Sequence, residues 1–547
     1  MIKRLFNGEI NSITVAAFLV AGSSLVSRLL GIFRDRILAG EFGAGDTLDI
    51  YYAAFRLPDL VFNLLVLGAL SAGFIPIFTG LIKNPLARIK GAIAGSQYEA
   101  AWLLASNILN ILAIGLIILC GVGIIFAPYL MKLITPGFTA DKLVLTSSLT
   151  RIMFLSPIFL GISGIFGGIL QSFKRFFVYS LSPILYNIGI IIGALFLVPI
   201  WGIYGLAWGV VLGSLAHLLV QLPTTINLGF RYHFKFNWRN SEVRKIGAMM
   251  VPRTMSLAIS QINLLVITII ASTLASGSLS VFNFANNLQS FPVGIFGISF
   301  AVAAFPALSA VAFDKKNLIK NISLTVRQIL FFIVPATVLL LTLRAQIIRV
   351  ILGTGQFDWQ DTVLTINTLG FFTLSLFAQS LIPLLVRIFY ARHNSTTPFI
   401  IGLAAAAINV FLAFWLSSRL GVAGLALAFS IANIINLIIL WLALHWEIGW
   451  LDELRILAST IKFSAAAMAA GIAIQGMKLI IWPYIDMTKF WGVLTQGAAA
   501  GLVGIFVYLA VCYLLGSEEL GNFWAAIKRR LPWIKVETQD QGEARGI

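Results

Sequence analysis

Residues 24–58 read SLVSRLLGIFRDRILAGEFGAGDTLDIYYAAFRLP and place charged side chains inside sequence that is otherwise apolar enough to cross a membrane. A charge near the bilayer centre costs about 2.5–3.5 kcal/mol on the insertion scale, so several charges in one helical pair require a wet cavity or a partner. The stretch therefore predicts a polar site within the membrane. The charged residues that we assign to these two helices are Arg28, Arg34, Asp35, Arg36, Asp49 and Arg56.

Helical spacing arranges these charges in two stripes. Arg28 and Asp35 lie seven residues apart, which is two turns along one helix face. Asp49 and Arg56 repeat the spacing on the next helix, so the stripes can face each other. For Arg36 we favour the alternative, in which a long side chain at a helix end extends to the lipid headgroups.

Prolines and glycines within the predicted spans mark candidate hinges. Pro58 lacks a backbone N–H and therefore kinks its helix two residues after Arg56. We predict hinges at Gly31, Pro58 and Pro292.

Composition places the chain among polytopic helical membrane proteins. Of 547 residues, 59% are hydrophobic and 11% charged, and the mean hydropathy is +0.95. The net charge of +17 comes from short Lys and Arg clusters between apolar spans, so no nucleic-acid partner is predicted. Cys120 and Cys512 lie in apolar segments and the four histidines are scattered, so neither a metal site nor a cofactor is predicted.

Apolar runs of about 20 residues predict an all-α fold with about fourteen membrane-spanning helices. Their approximate ranges are 12–39, 50–82, 99–131, 143–172, 178–199, 203–227, 244–275, 280–312, 319–352, 361–391, 398–417, 422–446, 456–480 and 490–516. An even number of spans leaves both termini on one side, whose loops hold roughly 22 lysines and arginines against roughly seven opposite. The positive-inside rule therefore predicts cytoplasmic termini.

An internal repeat with an offset of 219 residues organises the spans. LITPGF at 133–138 returns as LGTGQF at 352–357, and GIYGLA at 202–207 returns as GVAGLA at 421–426. Two matches at one offset predict two lobes of like orientation, related by a pseudo-two-fold axis along the membrane normal. The predicted domains are a six-helix lobe at 1–230, a second at 231–447, two appended helices at 448–516 and a cytoplasmic basic tail at 517–547. Such lobes around a charged cleft are typical of alternating-access transporters.

Six motifs stand out along the chain: SRLLGIFRD (27–35), FGAG (42–45), AFRLPDL (54–60), GALSAGFIP (68–76), SQIN (260–263) and ASGSLS (275–280). They resemble the MurJ/MviN family of lipid II flippases, in the superfamily of multidrug, oligosaccharidyl-lipid and polysaccharide exporters. The resemblance implies two lobes in a V, a central cationic cavity and a groove in the last two helices for an undecaprenyl tail. It also implies movement of lipid-linked peptidoglycan precursor from the inner to the outer leaflet of the bacterial plasma membrane.

By position, the resemblance matches Arg28, Arg34 and Asp35 to essential first-helix charges of the family. Asp49 and Arg56 match an acidic and a basic position around the second helix. The chemistry agrees, because a pyrophosphate with about two negative charges needs cations in a low-dielectric cleft and guanidinium groups bind phosphate oxygens in pairs. Asp35 would orient an arginine.

The chain also departs from the family pattern. Phe62 and Asn63 stand where relatives have a basic pair, and Leu67 stands where they have a glutamate. Asn287 replaces an eighth-helix cavity arginine, and Arg253 on the seventh helix is the predicted substitute.

A sodium site like that of some relatives is not predicted. Those relatives use a carboxylate on the seventh helix with polar or acidic groups on the eleventh. The corresponding positions here are Ile267, Asn409 and Ala413. Coupling to protons or to the membrane potential is therefore the expectation.

The sequence predicts a transporter rather than an enzyme. A membrane-embedded transferase needs carboxylates that bind metal or act as base, and the acids here form no such cluster. The alternative within transport is an exporter of another lipid-linked oligosaccharide or an amphipathic solute. The smaller number of charged residues on the second and eighth helices, compared with the family pattern, favours this alternative. The expected partners are lipid II, membrane lipids and the cell-wall synthesis machinery, with the chain acting as a monomer.

Overall fold

The computed structural model is helical nearly throughout the residues that it describes, 13–67, 73–83 and 98–530. The helices of the first half are α1 (Ile13–Phe42), α2 (Asp46–Val61), α3 (Ile75–Lys83), α4 (Glu99–Ile134), α5 (Ala140–Met153), α6 (Leu155–Ser172), α7 (Phe176–Ile192), α8 (Val198–Trp201), α9 (Tyr204–Leu219) and α10 (Leu222–Asn227). Those of the second half are α11 (Ser241–Ser272), α12 (Ser278–Pro292), α13 (Ser299–Ala310), α14 (Lys315–Ile351), α15 (Trp359–Thr373), α16 (Leu376–Ala391), α17 (Thr396–Leu420), α18 (Val422–Ile448), α19 (Glu453–Ile481), α20 (Phe490–Leu514) and α21 (Glu518–Arg530). Short π-helical segments, Phe62–Leu67, Gly193–Leu197 and Val293–Ile298, continue α2, α7 and α12, and a 3₁₀ turn, Trp482–Tyr484, follows α19.

Ten helical spans in the described part are long and apolar enough to cross a membrane, or eleven if the bent pair α15 and α16 is one span. The predicted all-α membrane fold is therefore confirmed. The count covers the described residues alone, so the number of fourteen stays a prediction.

The turn after α8 and the turn after α17 have the same geometry at the offset of the sequence repeat. Gly202 and Gly421 have φ of +58° and +59°, a region that side chains with a Cβ rarely adopt. The N–H of Gly205 donates to the carbonyl of Gly202 at 2.9 Å, and that of Gly424 to the carbonyl of Gly421 at 3.0 Å. The repeated motif is thus a repeated turn, and the lobe boundaries stay a prediction.

Two compact units make up the chain. The first comprises Met1–Leu288, Ile351–Phe371 and Gly402–Ala432. Its apolar core is formed around stacked rings that include Phe74, Phe78 and Trp102, which α3 and α4 contribute with the segment before α3. All the charged residues singled out on α1 and α2 belong to this unit.

The second unit comprises Gln289–Val350, Phe372–Ile401 and Asn433–Ile547, and α21 is fixed to it by charge. Arg327 of α14 is only 4% exposed and pairs with Glu519, which is also 4% exposed, and with Glu518 at 3.1 Å. Arg455 contacts Glu518 at 2.8 Å, and the hydrogen bonds from both arginines lower the pKa of Glu518. Since two buried charges are stable only together, α21 is an integral part of this unit.

Candidate functional site

Arg34 and Asp35 form an ion pair on α1 that α7 and α12 complete. Arg34 Nη2 and Nε lie 2.8 and 3.1 Å from Asp35 Oδ1, and its Nη1 donates to Asn187 Oδ1 at 3.2 Å. Asn287 Nδ2 donates to Asp35 Oδ2 at 2.8 Å. Asp35 is 4% exposed, so both oxygens of a buried carboxylate are satisfied.

Arg56 on α2 is held by neutral groups. Its Nε donates to Thr268 Oγ1 at 3.0 Å, and its Nη2 donates to Asn283 Oδ1 at 2.8 Å. Asn283 lies one turn before Asn287 on α12, so one face of α12 contacts both α1 and α2. Asp59 is near enough to Arg56 for an electrostatic interaction, but Arg56 has no ion pair within 4 Å among the described residues.

The other two arginines of α1 have different surroundings. Arg28 is half-buried and makes no hydrogen bond or ion pair with any residue that the structure describes. Arg36 donates to the backbone carbonyl of Ile351 at 3.4 Å. The ligand-binding role of Arg28 and the headgroup role of Arg36 both stay predictions.

Asp49 positions α12 rather than leaving its carboxylate open. Its Oδ2 accepts from the N–H of Gly277 at 2.8 Å, and its Oδ1 accepts from the N–H and the hydroxyl of Ser280 at 2.8 and 2.6 Å. The carboxylate is 3% exposed and lies at the positive end of the α12 dipole. Asp49 thereby fixes the helix that carries Asn283 and Asn287.

The FGAG and ASGSLS motifs meet at this end of the site. Gly277 has φ of +85°, and a Cβ there would lie 1.8 Å from the carbonyl oxygen of Ala44. A Cβ on Gly355, with φ of +57°, would lie 2.1 Å from the carbonyl oxygen of Gly40. These glycines allow backbone to contact backbone, so the C-terminal end of α1 packs directly against the N-terminal end of α12.

Both predicted hinge prolines lie next to a π-helical segment. Pro58 precedes Phe62–Leu67 by four residues, and Pro292 directly precedes Val293–Ile298. Such segments weaken the regular hydrogen-bond ladder and occur frequently at functional sites. A Cβ on Gly31 would meet nothing within 4 Å, so packing does not require glycine there. The three hinges stay predictions.

One predicted ligand falls outside the described side chains, and three partners were not predicted. Arg253 belongs to α11, but its side chain lies outside the described part. The partners missed by the sequence analysis are Asn187, Thr268 and Asn283. The available signal was a polar residue within an apolar span, and for Asn283 the spacing of one turn from Asn287.

A hydrogen bond between two amides joins α17 to α11. Asn409 Nδ2 donates to Asn263 Oδ1 at 2.7 Å, while Ile267 and Ala413 are buried. No group of three or more His, Cys, Asp and Glu within the described residues could hold a metal ion.

A sequence profile described as "Lipid II flippase MurJ" matches residues 38–495, which is most of the chain. The chain belongs to the MurJ family. This confirms the family predicted from the motifs, and it is a family of transporters rather than of enzymes.

Relatives in other bacteria match over most of their length. A "Probable lipid II flippase MurJ" of Vibrio cholerae is 30% identical over 512 residues, covering 92% of this chain and 96% of the relative. A "Lipid II flippase MurJ" of Burkholderia cenocepacia is 28% identical over 440 residues, covering 79% and 83%.

Solved structures agree with this assignment. A structure described as "Lipid II flippase MurJ, inward closed conformation" has a TM-score of 0.73 and 25% identity, and the match covers 93% of this chain and 99% of that one. An inward-facing multidrug transporter of the MATE family shares the fold at a TM-score of 0.65 and 15% identity, with 78% and 96% covered. The MurJ fold is thus established for this multi-pass membrane chain.

Proposed function

We propose that this chain is a lipid II flippase. It moves the undecaprenyl-pyrophosphate-linked disaccharide-peptide from the inner to the outer leaflet of the plasma membrane by alternating access, with both termini cytoplasmic. Membership of the MurJ family supports the substrate, and the MATE-type fold of its structural neighbours supports the transport mode.

The observation that carries the proposal is that Arg28 on α1 and Arg56 on α2 form no ion pair at contact distance within the described residues. Arg28 has no hydrogen bond or ion pair among the described residues, and Arg56 is bound only by neutral side chains at hydrogen-bond distance. Buried or half-buried cations of a membrane protein that lack an ion pair at contact distance are costly unless they bind an anion. A pyrophosphate with about two negative charges supplies one, and the guanidinium geometry suits its oxygens.

Arg34 has a different role in this proposal because Asp35 already neutralises it. Pyrophosphate oxygens compete with the Asp35 carboxylate for the Arg34 guanidinium. Asp35 then keeps its hydrogen bond from Asn287, so α1 and α12 stay in contact while the substrate binds. The exchange of partners links substrate binding to the helices that we expect to move.

A second candidate follows from the neutral amide of Asn287. Its position is the one where the family pattern has an arginine, so this chain has one fewer cation there. An exporter of another lipid-linked oligosaccharide or amphipathic solute needs fewer cations, and the same residues would bind its head group.

Complementation tests the proposal. Cells depleted of their own lipid II flippase receive this chain, and lipid II in the outer leaflet is scored with growth. Rescue with outer-leaflet lipid II supports a lipid II flippase. If membrane insertion is normal but neither growth nor outer-leaflet lipid II returns, the second candidate is favoured.

A further inference from the structure

A segment of alternating aromatic and basic residues connects α10 to α11. Residues 230–239 read FRYHFKFNWR and are not helical. We call these residues the aromatic-basic segment. The proposed transport function does not use it.

Polar side chains of α4 hold this segment. They are Ser106, Asn107 and Asn110, all buried. Asn107 donates to the carbonyl of Asn237 at 2.9 Å and accepts from its N–H at 2.7 Å. Asn110 Nδ2 donates to the carbonyls of His233 and Lys235 at 3.2 and 2.9 Å. Because the backbone of every second residue from His233 to Asn237 bonds to α4, the chain is extended there and successive side chains point to opposite faces. A turn follows at Trp238 and Arg239.

The two faces differ in chemistry, and both are exposed. One face carries the aromatic rings of Tyr232, Phe234 and Phe236, which are 55%, 80% and 52% exposed, and Trp238 in the turn is 63% exposed. The other face carries the cationic or polar groups of Arg231, His233, Lys235 and Asn237, and Arg239 lies in the turn with its guanidinium over the Trp238 ring. Arg231 and Lys235 make no hydrogen bond or ion pair through their side chains within the described residues. The segment is therefore fixed through its backbone and through two side chains: the Tyr232 hydroxyl donates to Asn110 Oδ1 at 2.7 Å, and the Phe230 ring packs against Trp102. Its other side chains are exposed.

The length of α4 places the segment near the membrane surface. With 36 residues, α4 is about 54 Å long, whereas the hydrocarbon layer is about 30 Å thick. Its uninterrupted apolar run, residues 111–131, is about as long as the hydrocarbon layer is thick. Asn107 and Asn110 lie directly before this run, so the segment that they bind lies at the boundary between hydrocarbon and headgroups.

We propose that the aromatic-basic segment is a binding surface for anionic lipid. The exposed rings of Phe234, Phe236 and Trp238 enter the boundary between headgroups and acyl chains, where such rings are favoured. Arg231, Lys235 and Arg239 contact the headgroup phosphates, and each cation near an anionic surface strengthens binding about fivefold. The charge of the segment selects anionic over zwitterionic lipid, and its fixed backbone lowers the entropy lost on binding.

Local quenching in proteoliposomes tests this proposal. Cys120 and Cys512 are replaced by Ala in the full chain, and a bimane is attached at Phe234→Cys or, on the opposite face, at Lys235→Cys. Brominated phosphatidylglycerol or brominated phosphatidylcholine serves as the quencher. We expect several-fold stronger quenching at position 234 than at 235, and stronger quenching by phosphatidylglycerol than by phosphatidylcholine.

Charge-neutralised variants complete the test. The triple change is Arg231→Gln, Lys235→Gln, Arg239→Gln, with the probe at 234. It should lower the ratio of quenching by phosphatidylglycerol to quenching by phosphatidylcholine at least tenfold, while quenching by phosphatidylcholine persists. The matched control neutralises the basic cluster at the start of α14 (Lys315→Gln, Lys316→Gln, Lys320→Gln) and should keep the preference. Equal quenching at 234 and 235, or a lipid preference that survives the triple change, would overturn the proposal.

Discussion

Asn287 on α12 donates a 2.8 Å hydrogen bond to the carboxylate oxygen of Asp35 on α1 that Arg34 leaves unoccupied. The residues are 252 positions apart in the chain. Because an amide is neutral, Arg34 remains the only ion-pair partner of Asp35 among the described residues. This contact joins the first helix to the eighth predicted span without the arginine of the family pattern.

A carboxylate in place of this amide should disable the site. Asn287→Asp would place two acidic groups at hydrogen-bond distance in a buried setting, where like charges repel strongly. We expect complementation to fall more than tenfold with normal abundance in the membrane. Asn287→Arg should keep activity because it pairs with Asp35. Equal activity of Asn287→Asp and the unchanged chain would contradict this role for the contact.

Removal of the Asp49 carboxylate should destabilise α12. Asp49→Ala leaves the N–H groups of Gly277 and Ser280 without their acceptor, and we expect a loss of about 1–3 kcal/mol in the free energy of unfolding. Thermal unfolding of the purified protein measures it. Asp46→Ala, which removes a half-exposed carboxylate that pairs with Lys142 and accepts a hydrogen bond from Ser276, is the control and should lose less stability. The same melting temperature for both variants would argue against an anchoring role of Asp49.

A side chain at position 277 should break the backbone contact between Gly277 and Ala44. Gly277→Ala places a Cβ against the Ala44 carbonyl at a positive φ, whereas Gly202→Ala has a similar backbone strain with nothing within 4 Å. We expect Gly277→Ala to separate the FGAG and ASGSLS segments by several ångströms and to abolish complementation. Distances between spin labels near these segments check this, with Gly202→Ala as the matched control. Unchanged distances in Gly277→Ala would show that the contact between Gly277 and Ala44 does not hold these segments together.

Neutralisation of Glu519 should release α21. Glu519→Ala leaves Arg327 buried with only Glu518 beside it, and breaking a buried pair costs about 3–5 kcal/mol. The free energy of unfolding should fall accordingly, and proteolysis of α21 should accelerate. Arg455→Ala removes an exposed partner of Glu518 and should leave α21 protected. A protease-resistant α21 in Glu519→Ala would show that the buried pair of Arg327 and Glu519 does not hold α21 in place.

The sequence predicted the membrane fold and the family because apolar length and motif are local properties. It did not predict the neutral side chains that bind Arg34 and Arg56. Thr268 also donates to the carbonyl of Leu264, and Asn283 to that of Leu279, so such residues satisfy themselves within a helix whether or not they bind an arginine. The anchoring role of Asp49 depends on Gly277, 228 residues away, and no local pattern indicates that contact.

Binding of a pyrophosphate lipid to the purified chain tests the central claim most directly. Undecaprenyl pyrophosphate is titrated into the unchanged protein and into Arg28→Ala, Arg56→Ala and Arg419→Ala, the last being an exposed arginine at the end of α17. Loss of one cation that binds phosphate should weaken affinity at least tenfold for Arg28→Ala and Arg56→Ala, with Arg419→Ala unchanged. Equal affinity of all four proteins would show that the arginines of α1 and α2 do not bind the pyrophosphate.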